Sequence, residues 1–340
     1  MNAAQMLTMS VPEVQPIAAG RADRLIDVTV VRRVNAGDGI VIIELAPADG
    51  SPMPCFEPGA HIDVHISPKI VRQYSLCGDP ADTSTYRLGI KLETESRGGS
   101  LAIHRDLEAG DRLTIGEPRN NFPLVRSARR SVLIGGGIGV TPLLAMAADL
   151  ERRGADFELH YCARSRAAAA FWPELQRSRY APKVRLHLDN GDGGQRFAVE
   201  RDIPSATADE HLYVCGPAPF IESVLAEARR KGWPEGRLHH EAFTAAGVTE
   251  GGEEFDVTAV RSGVTVRVLS DQTIAAALLA AGVDVPLSCE QGVCGTCLID
   301  VIEGVPDHRD AYQTESEWAA NDRIAVCCSR ARSARLVLDI

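Results

Sequence analysis

The chain has 340 residues, of which 45% are hydrophobic and 24% charged, and its formal net charge at pH 7 is −10. This balance is typical of a folded protein with two or three domains and excludes wholesale disorder. The acidic excess argues against nucleic acid or an anionic membrane as a partner, and no apolar run approaches the roughly 18 residues that cross a bilayer. The first twenty residues lack the basic start of a secretory signal, so we expect a soluble cytoplasmic protein.

Residues 25–126, which follow a tail of residues 1–24, predict an antiparallel β-barrel. Short runs such as residues 26–30 and 61–66 alternate apolar and polar side chains, as half-buried strands do. Turn signals such as Asp38-Gly39 separate these runs. Many short strands without a long helical stretch favour a barrel.

Residues 127–245 predict an α/β domain with a doubly wound parallel sheet. The apolar strand at residues 132–134 runs into a glycine-rich turn, and Thr141-Pro142 then begins a helix. Strands and helices alternate from there on, which is the sequence pattern of a parallel sheet. The further strands are predicted at residues 157–162, 184–188 and 212–215, and the helices near residues 171–178 and 219–231.

A third domain is predicted at residues 255–340, after a linker at residues 246–254. The linker is rich in Gly and Glu and has no periodicity. Two alternating strands follow at residues 255–261 and 264–269, then a helix at residues 274–281 and a loop that holds three cysteines.

The cysteine spacing in this third domain predicts a metal centre. Three cysteines form C-x4-C-x2-C and a fourth follows 29 residues later: Cys289, Cys294, Cys297 and Cys327. This is the ligand spacing of a plant-type [2Fe–2S] cluster. Gly292 and Gly295 lack a Cβ, so the loop backbone can wrap closely around the cluster.

Zinc is the alternative metal, but structural zinc usually takes two short Cys or His pairs, whereas here the fourth ligand stands alone and the first gap has four residues. The pattern offers two candidates for the fourth ligand. Alternation at Ile324 and Val326 does not distinguish Cys327 from Cys328, and the spacing favours Cys327.

An anion site is predicted in the barrel. Gly98, Gly99 and Ser100 begin a helix, and they offer backbone N–H groups, a hydroxyl and the positive end of the helix dipole. The guanidinium group of Arg72 adds a positive charge, and the Tyr74 side chain can lie along an aromatic ring of the ligand. A phosphate-bearing ring compound such as flavin mononucleotide suits this combination.

A second nucleotide site is predicted at the ends of two parallel strands. The glycine-rich turn at residues 135–139, which includes Gly136 and Gly137, is not the G-x-G-x-x-G fingerprint and is weak evidence alone. Cys215-Gly216-Pro217 follows a second strand, where doubly wound sheets bind ligands. Arg164 follows another strand, where an arginine can hold a ribose 2′-phosphate or stack on adenine.

These motifs resemble those of the phthalate dioxygenase reductase / vanillate O-demethylase reductase family, and the likeness extends from about Ile26 to Ile340. The resemblance implies an FMN barrel, an NAD domain and a C-terminal plant-type ferredoxin domain of the α+β, β-grasp type. It implies that FMN contacts Arg72, Tyr74, Ser75, Leu76, Ile90, Lys91, Gly98, Gly99 and Ser100. Thr141 is then expected near the flavin ring, and Phe243 where nicotinamide enters.

The resemblance also implies the function: the reductase component of a multicomponent oxygenase or demethylase. Hydride from NADH, or alternatively NADPH, reaches FMN, and single electrons pass through [2Fe–2S] to a separate Rieske-type terminal oxygenase. A flavin accepts two electrons together and releases them singly, which makes it the necessary intermediary. The alternative is the same relay serving a haem or di-iron monooxygenase. No side chain needs to act as acid or base, so no catalytic residue is predicted.

Overall fold

The computed structural model describes residues 24–67, 70–93, 98–193, 195–243 and 251–340. The predicted tail, apart from Arg24, and residues 246–250 of the predicted linker lie outside these ranges. The described residues form three units in chain order, each with its own sheet. None of the helices in the described ranges is both long enough and apolar enough to cross a membrane.

The first unit is a nearly closed antiparallel barrel. Its strands are β1 (Leu25–Asn35), β2 (Ile40–Pro47), β3 (His61–Ser67), β4 (Ile70–Ser75), β5 (Tyr86–Lys91) and β6 (Arg112–Gly116), and its helix is α1 (Gly99–Asp106). The order in the sheet is β4-β3-β6-β1-β2-β5, and an antiparallel bridge between Leu76 and Leu88 joins its two edges. Alternate residues such as Val28 and Val30 point into the core, so the predicted alternation is confirmed.

The second unit is a parallel sheet with the order β11-β10-β7-β8-β9. Its strands are β7 (Arg130–Gly136), β8 (Asp156–Ala163), β9 (Val184–Leu188), β10 (Glu210–Cys215) and β11 (Leu238–Glu241). Its helices are α2 (Val140–Arg152), α3 (Trp172–Leu175), α4 (Val199–Asp202) and α5 (Ala218–Arg230), with 3₁₀ turns at Gly137–Gly139, Ala181–Lys183 and Glu235–Arg237.

Helices cover this sheet on two sides, each with a separate apolar core. Leu143 and Leu150 of α2 join one core, whereas Val224 and Ala228 of α5 join the other. The doubly wound prediction is therefore confirmed. The helix predicted near residues 171–178 is shorter, because after Leu175 the chain turns and Ser178 hydrogen-bonds back to the Leu175 carbonyl.

The third unit is a mixed sheet with the order β13-β12-β18-β14-β16. Its strands are β12 (Phe255–Ala259), β13 (Val264–Val268), β14 (Leu298–Glu303), β16 (Arg323–Ala325) and β18 (Arg335–Leu338), while β15 (Pro306–Asp307) pairs with β17 (Arg330–Ala331). Its helices are α6 (Ile274–Ala280) and α7 (Glu315–Ala320). The α6 helix packs its apolar face on the sheet, which agrees with the α+β prediction.

The barrel docks closely on the second unit. A Cβ at Gly89 of β5 would lie 2.6 Å from Cζ of Phe171 and 3.0 Å from Cγ2 of Thr141, so only glycine permits this approach. Beside it, Arg87 donates two hydrogen bonds to the Glu174 carboxylate of α3. These contacts bring the barrel strands against the carboxyl ends of the parallel strands, where the candidate site lies.

Candidate functional site at the junction of three sheets

A cavity lies where the three units meet. From the barrel it is lined by His61, Arg72, Gln73, Tyr74, Ser75, Gly89, Lys91, Glu93 and Ser100. The second unit contributes Ile138, Thr141, Glu241, Ala242 and Phe243, and the cysteine loop of the third unit contributes Gln291 and Val293. Seven of the predicted flavin-site residues therefore line one cavity, although they come from two units of the fold.

One corner of the cavity is suited to an anion. Arg72 is buried beside the first turn of α1, and a Cβ at Gly99 would lie 2.7 Å from Arg72 Cγ. Glycine therefore lets the guanidinium lie against the helix N-terminus, where backbone N–H groups favour negative charge. Gly98 precedes the helix with φ of 86°, a conformation that favours glycine. Lys91 contributes less charge here, because its Nζ is 2.6 Å from Glu93 Oε1.

The middle of the cavity has walls suited to a flat ring. Tyr74 lies on the barrel side, and burial raises the pKa of its phenol, which stays neutral. Thr141 and Phe243 lie on the side of the second unit, and Thr141 donates its hydroxyl proton to the Ile138 carbonyl at 2.9 Å. Apolar and aromatic walls with a few fixed polar groups are typical of cofactor sites.

Glu241 and His61 face the same cavity and were not predicted as site residues. Glu241 ends β11, and burial in the cavity raises its pKa to about 8, so the carboxyl is largely protonated at neutral pH. Burial and the nearby Arg119 lower the pKa of His61 to about 4, and its Nε2 has no hydrogen-bond partner among the described residues. The only sequence signal for Glu241 is an acidic residue at the end of a parallel strand.

Leu76 and Ile90 lie elsewhere. Both side chains are fully buried in the barrel core, so only their backbone could reach a ligand in the cavity. Their strands nevertheless border the site, since Ile90 precedes Lys91 and Leu76 follows Ser75.

The predicted nucleotide residues form a separate edge beside the cavity. Gly136 ends β7 and packs against Gly216, which follows β10, and a Cβ on Gly216 would lie 3.1 Å from Gly136 Cα. Pro217 caps α5, and Gly137 has φ of 59° in the adjoining turn.

Cys215 and Arg164 differ in solvent exposure. Cys215 is fully buried, and burial raises the pKa of its thiol well above the ordinary value, so it is neutral and unreactive. Arg164 is exposed just beyond the end of β8, at the carboxyl edge of the sheet. It is therefore accessible to the adenosine end of a nucleotide that lies along this edge.

The cysteine loop brings four thiols together in two pairs. Interaction with the Cys294 thiol raises the pKa of Cys289, and the Cys327 thiol likewise raises the pKa of Cys297. The Cys289 hydrogen bond lowers the pKa of Cys294 to about 6. Within the described residues no three His, Cys, Asp or Glu side chains converge on one metal position. Two pairs of thiols fit a cluster of two metal ions, in which each ion would take two of the four thiolates.

Cys328 differs from Cys327 in its contacts. Its Sγ lies 3.7 Å from the Ala325 carbonyl and 3.8 Å from the Ser329 hydroxyl, and the thiol also interacts with Cys327, whose pKa it raises. Cys327, by contrast, also pairs with Cys297 of the cysteine loop. Around the loop, Gly292 and Gly295 both have φ of 73°, and a Cβ at Gly295 would lie 2.5 Å from the Tyr312 ring. Both glycines therefore have a conformational reason to be there.

Comparison with known proteins agrees with this arrangement. Residues 257–332 match the family of 2Fe-2S iron-sulfur cluster binding domains. Over 317 residues the chain is 45% identical to vanillate O-demethylase oxidoreductase from Pseudomonas sp. strain HR199, covering 93% of this chain and all of the relative. The chain belongs to this family of oxygenase reductases.

Solved structures extend the likeness to the whole architecture. The reductase is 34% identical to phthalate dioxygenase reductase, a modular structure for electron transfer from pyridine nucleotides to [2Fe–2S]. That match has a TM-score of 0.76 and covers 93% of this chain and 98% of the other. It is also 36% identical to a type IV self-sufficient cytochrome P450 monooxygenase, with a TM-score of 0.75, covering 96% of this chain and 43% of the other.

These findings confirm the predicted family and fold class. The protein is an oxidoreductase, the reductase component of an oxygenase system, and its third unit is a [2Fe–2S] domain. A pyridine nucleotide, a flavin and a [2Fe–2S] cluster, the redox groups that the sequence predicts, are those of the family.

Proposed function

We propose that this reductase takes hydride from NADH at an FMN in the junction cavity and delivers single electrons, through [2Fe–2S], to a separate Rieske-type terminal oxygenase. The observation that carries the proposal is the shared cavity wall. Phe243 on the nicotinamide side, Tyr74 of the barrel and Val293 of the cysteine loop all line one space. A cofactor there contacts both the donor side and the cluster side, as a two-electron to one-electron converter requires.

The proposed units have the boundaries that the sequence indicates: residues 25–126 for FMN, 127–245 for the nucleotide and 255–340 for the cluster. The anion corner supports FMN as the flavin, because the buried Arg72 and the first turn of α1 suit the terminal phosphate of FMN. The FMN site comprises Arg72, Tyr74, Ser75, Leu76, Ile90, Lys91, Gly98, Gly99, Ser100, Thr141 and Phe243. The nucleotide edge comprises Gly136, Gly137, Arg164, Cys215, Gly216 and Pro217.

The cluster ligands are proposed as Cys289, Cys294, Cys297 and Cys327. A matched pair of variants tests the fourth. Cys327→Ser should abolish the iron–sulfur absorption and the NADH-dependent reduction of cytochrome c, while NADH still reduces the flavin. Cys328→Ser should keep both, because the Cys328 thiol interacts with Cys327, the Ala325 carbonyl and the Ser329 hydroxyl, and a serine hydroxyl can replace it in these contacts. If Cys328→Ser loses the iron–sulfur absorption and Cys327→Ser keeps it, Cys328 is the fourth ligand instead of Cys327. Purified protein that contains neither flavin nor iron would refute the proposed relay.

The partner is tested by reconstitution. We expect the reductase to support turnover of a Rieske-type oxygenase when supplied with NADH. The alternative partner is a haem monooxygenase, favoured by the likeness to a self-sufficient cytochrome P450. Turnover with a cytochrome P450 and none with any Rieske oxygenase in a panel of both would select that alternative. A cytoplasmic location stays a prediction.

A further inference from the structure

A buried hydrogen bond joins the barrel to the cysteine loop. Ser288, which immediately precedes Cys289, donates its hydroxyl proton to Oδ2 of Asp63 on β3 at 2.9 Å. Both side chains are buried, and each residue is only 7% exposed. A hydrogen bond to a carboxylate in such surroundings is stronger than one at the surface.

The barrel holds the Asp63 carboxylate in place independently of the loop. Arg119 reaches Oδ2 at 2.8 Å, and the side-chain amide of Gln73 donates to Oδ1 at 3.0 Å. Arg119 is itself fixed, since its backbone exchanges two hydrogen bonds with His61, of 2.9 and 3.0 Å. The carboxylate is therefore oriented by two barrel residues, and its Oδ2, which Arg119 also reaches, accepts the Ser288 hydroxyl proton.

This contact lies at the point where the loop reaches the cavity. Gln291 and Val293, which follow Ser288 closely, line the cavity proposed for FMN, as does Gln73. The amide of Gln73 is also 3.5 Å from the Ser288 hydroxyl. The pair thus fixes how the first part of the cysteine loop meets the flavin side of the molecule.

We propose that Asp63 is a positioning residue for electron transfer, which acts through Ser288 to hold the cysteine loop at the flavin cavity. This inference rests on the proposed function. The rate of electron transfer falls steeply with the separation of donor and acceptor, so a small displacement of the loop slows the relay. Loss of the Ser288 hydroxyl frees the loop from a carboxylate that Arg119 and Gln73 still hold in the barrel. Loss of the Asp63 carboxylate leaves the buried Ser288 hydroxyl without its acceptor, and both changes favour the displaced loop.

The test compares two half-reactions in Asp63→Ala and Ser288→Ala proteins. Reduction of cytochrome c requires the cluster. The second half-reaction uses a dye that accepts electrons directly from the flavin, chosen as one that Cys327→Ser protein still reduces although it lacks the cluster. We expect cytochrome c reduction to fall by at least about tenfold in both variants, while dye reduction and the iron–sulfur absorption are unchanged. Ser288→Thr, which keeps the hydroxyl, should restore the rate. Asp27→Ala is the matched control, because Asp27 accepts from Thr114 on the exposed face of the barrel.

Hydrogen exchange gives a readout that does not depend on turnover. The amides of residues 288–293 should exchange faster in both Asp63→Ala and Ser288→Ala proteins than in Asp27→Ala protein. In Ser288→Ala protein the barrel amides should not differ, because Arg119 and Gln73 still hold the Asp63 carboxylate. If Asp63→Ala and Ser288→Ala proteins both reduce cytochrome c and exchange their loop amides at wild-type rates, the inference is overturned. Loss of the cluster absorption in both would also overturn it, and would assign the pair to cluster assembly instead. A wild-type protein that fails to relay electrons refutes the proposed function itself.

Discussion

Ser75 of the barrel and Glu241 of the parallel sheet meet across the junction of the two units. The Ser75 hydroxyl is 3.5 Å from Oε2 of Glu241, although 166 residues separate them in the chain. Both line the cavity, and the carboxyl has no cationic partner among its described contacts. A carboxyl group in this position stays protonated at neutral pH because ionisation would place an uncompensated charge in the cavity.

The first prediction concerns pH. Because burial raises the pKa of Glu241 to about 8, the group becomes negative as the pH rises through that value. Negative charge beside the flavin opposes the arrival of hydride, so flavin reduction by NADH should slow above about pH 8. Glu241→Gln, which stays neutral, should remove this inflection. Stopped-flow measurement of flavin bleaching across the pH range checks it, and an unchanged profile in the variant would assign the inflection to another group.

The second prediction concerns the anion corner. Gly99→Ala places a Cβ 2.7 Å from Arg72 Cγ and should displace the guanidinium from the start of α1. We expect flavin affinity to fall by about tenfold, the loss of one charge-assisted hydrogen bond. Recovery of flavin fluorescence on dilution gives the dissociation constant. Gly236→Ala is the control, since no atom lies within 4 Å of its added Cβ. Equal affinities in the two variants would contradict the assignment of this corner.

The third prediction concerns the docking of the barrel on the second unit. Gly89→Ala adds a methyl group 2.6 Å from Phe171 Cζ, and a buried, well-packed contact cannot absorb it without movement. The free energy of unfolding should decrease by about 1–3 kcal/mol. Denaturant unfolding followed by intrinsic fluorescence measures this. Gly193→Ala, on an open surface, should change it by less than about 0.5 kcal/mol.

The fourth prediction concerns the partner. From Glu250 to Ile340 the chain has fifteen acidic and seven basic residues, so most of its net negative charge of −10 lies in and just before the cluster unit. If this charge steers the reductase toward a basic oxygenase surface, electron transfer to the oxygenase should slow as ionic strength rises. Reduction of the flavin by NADH in the same samples is the internal reference. A salt-independent rate of transfer would show that the charge serves only solubility.

The sequence by itself determined the features that depend on neighbours in the chain. The alternation in β1, the apolar strand that runs into a glycine turn at β7 and the spacing of Cys289, Cys294 and Cys297 all indicate their structures locally. Strand pleating, helix periodicity and the reach of a short loop around a cluster each involve only a few consecutive residues. For the same reason the three-unit architecture and the family could be predicted.

Only the tertiary structure decided which residues meet at the cavity. Ser288 and Asp63 are 225 residues apart, and no local pattern distinguishes them from surface polar residues. Glu241, His61 and Val293 enter the site because three units of the fold meet there, whereas the side chains of Leu76 and Ile90 point into the barrel core. Docking depends on shape, such as the space left by Gly89, and on single buried hydrogen bonds. Both are contacts between residues that are distant in the chain, and neither composition nor periodicity predicts such contacts.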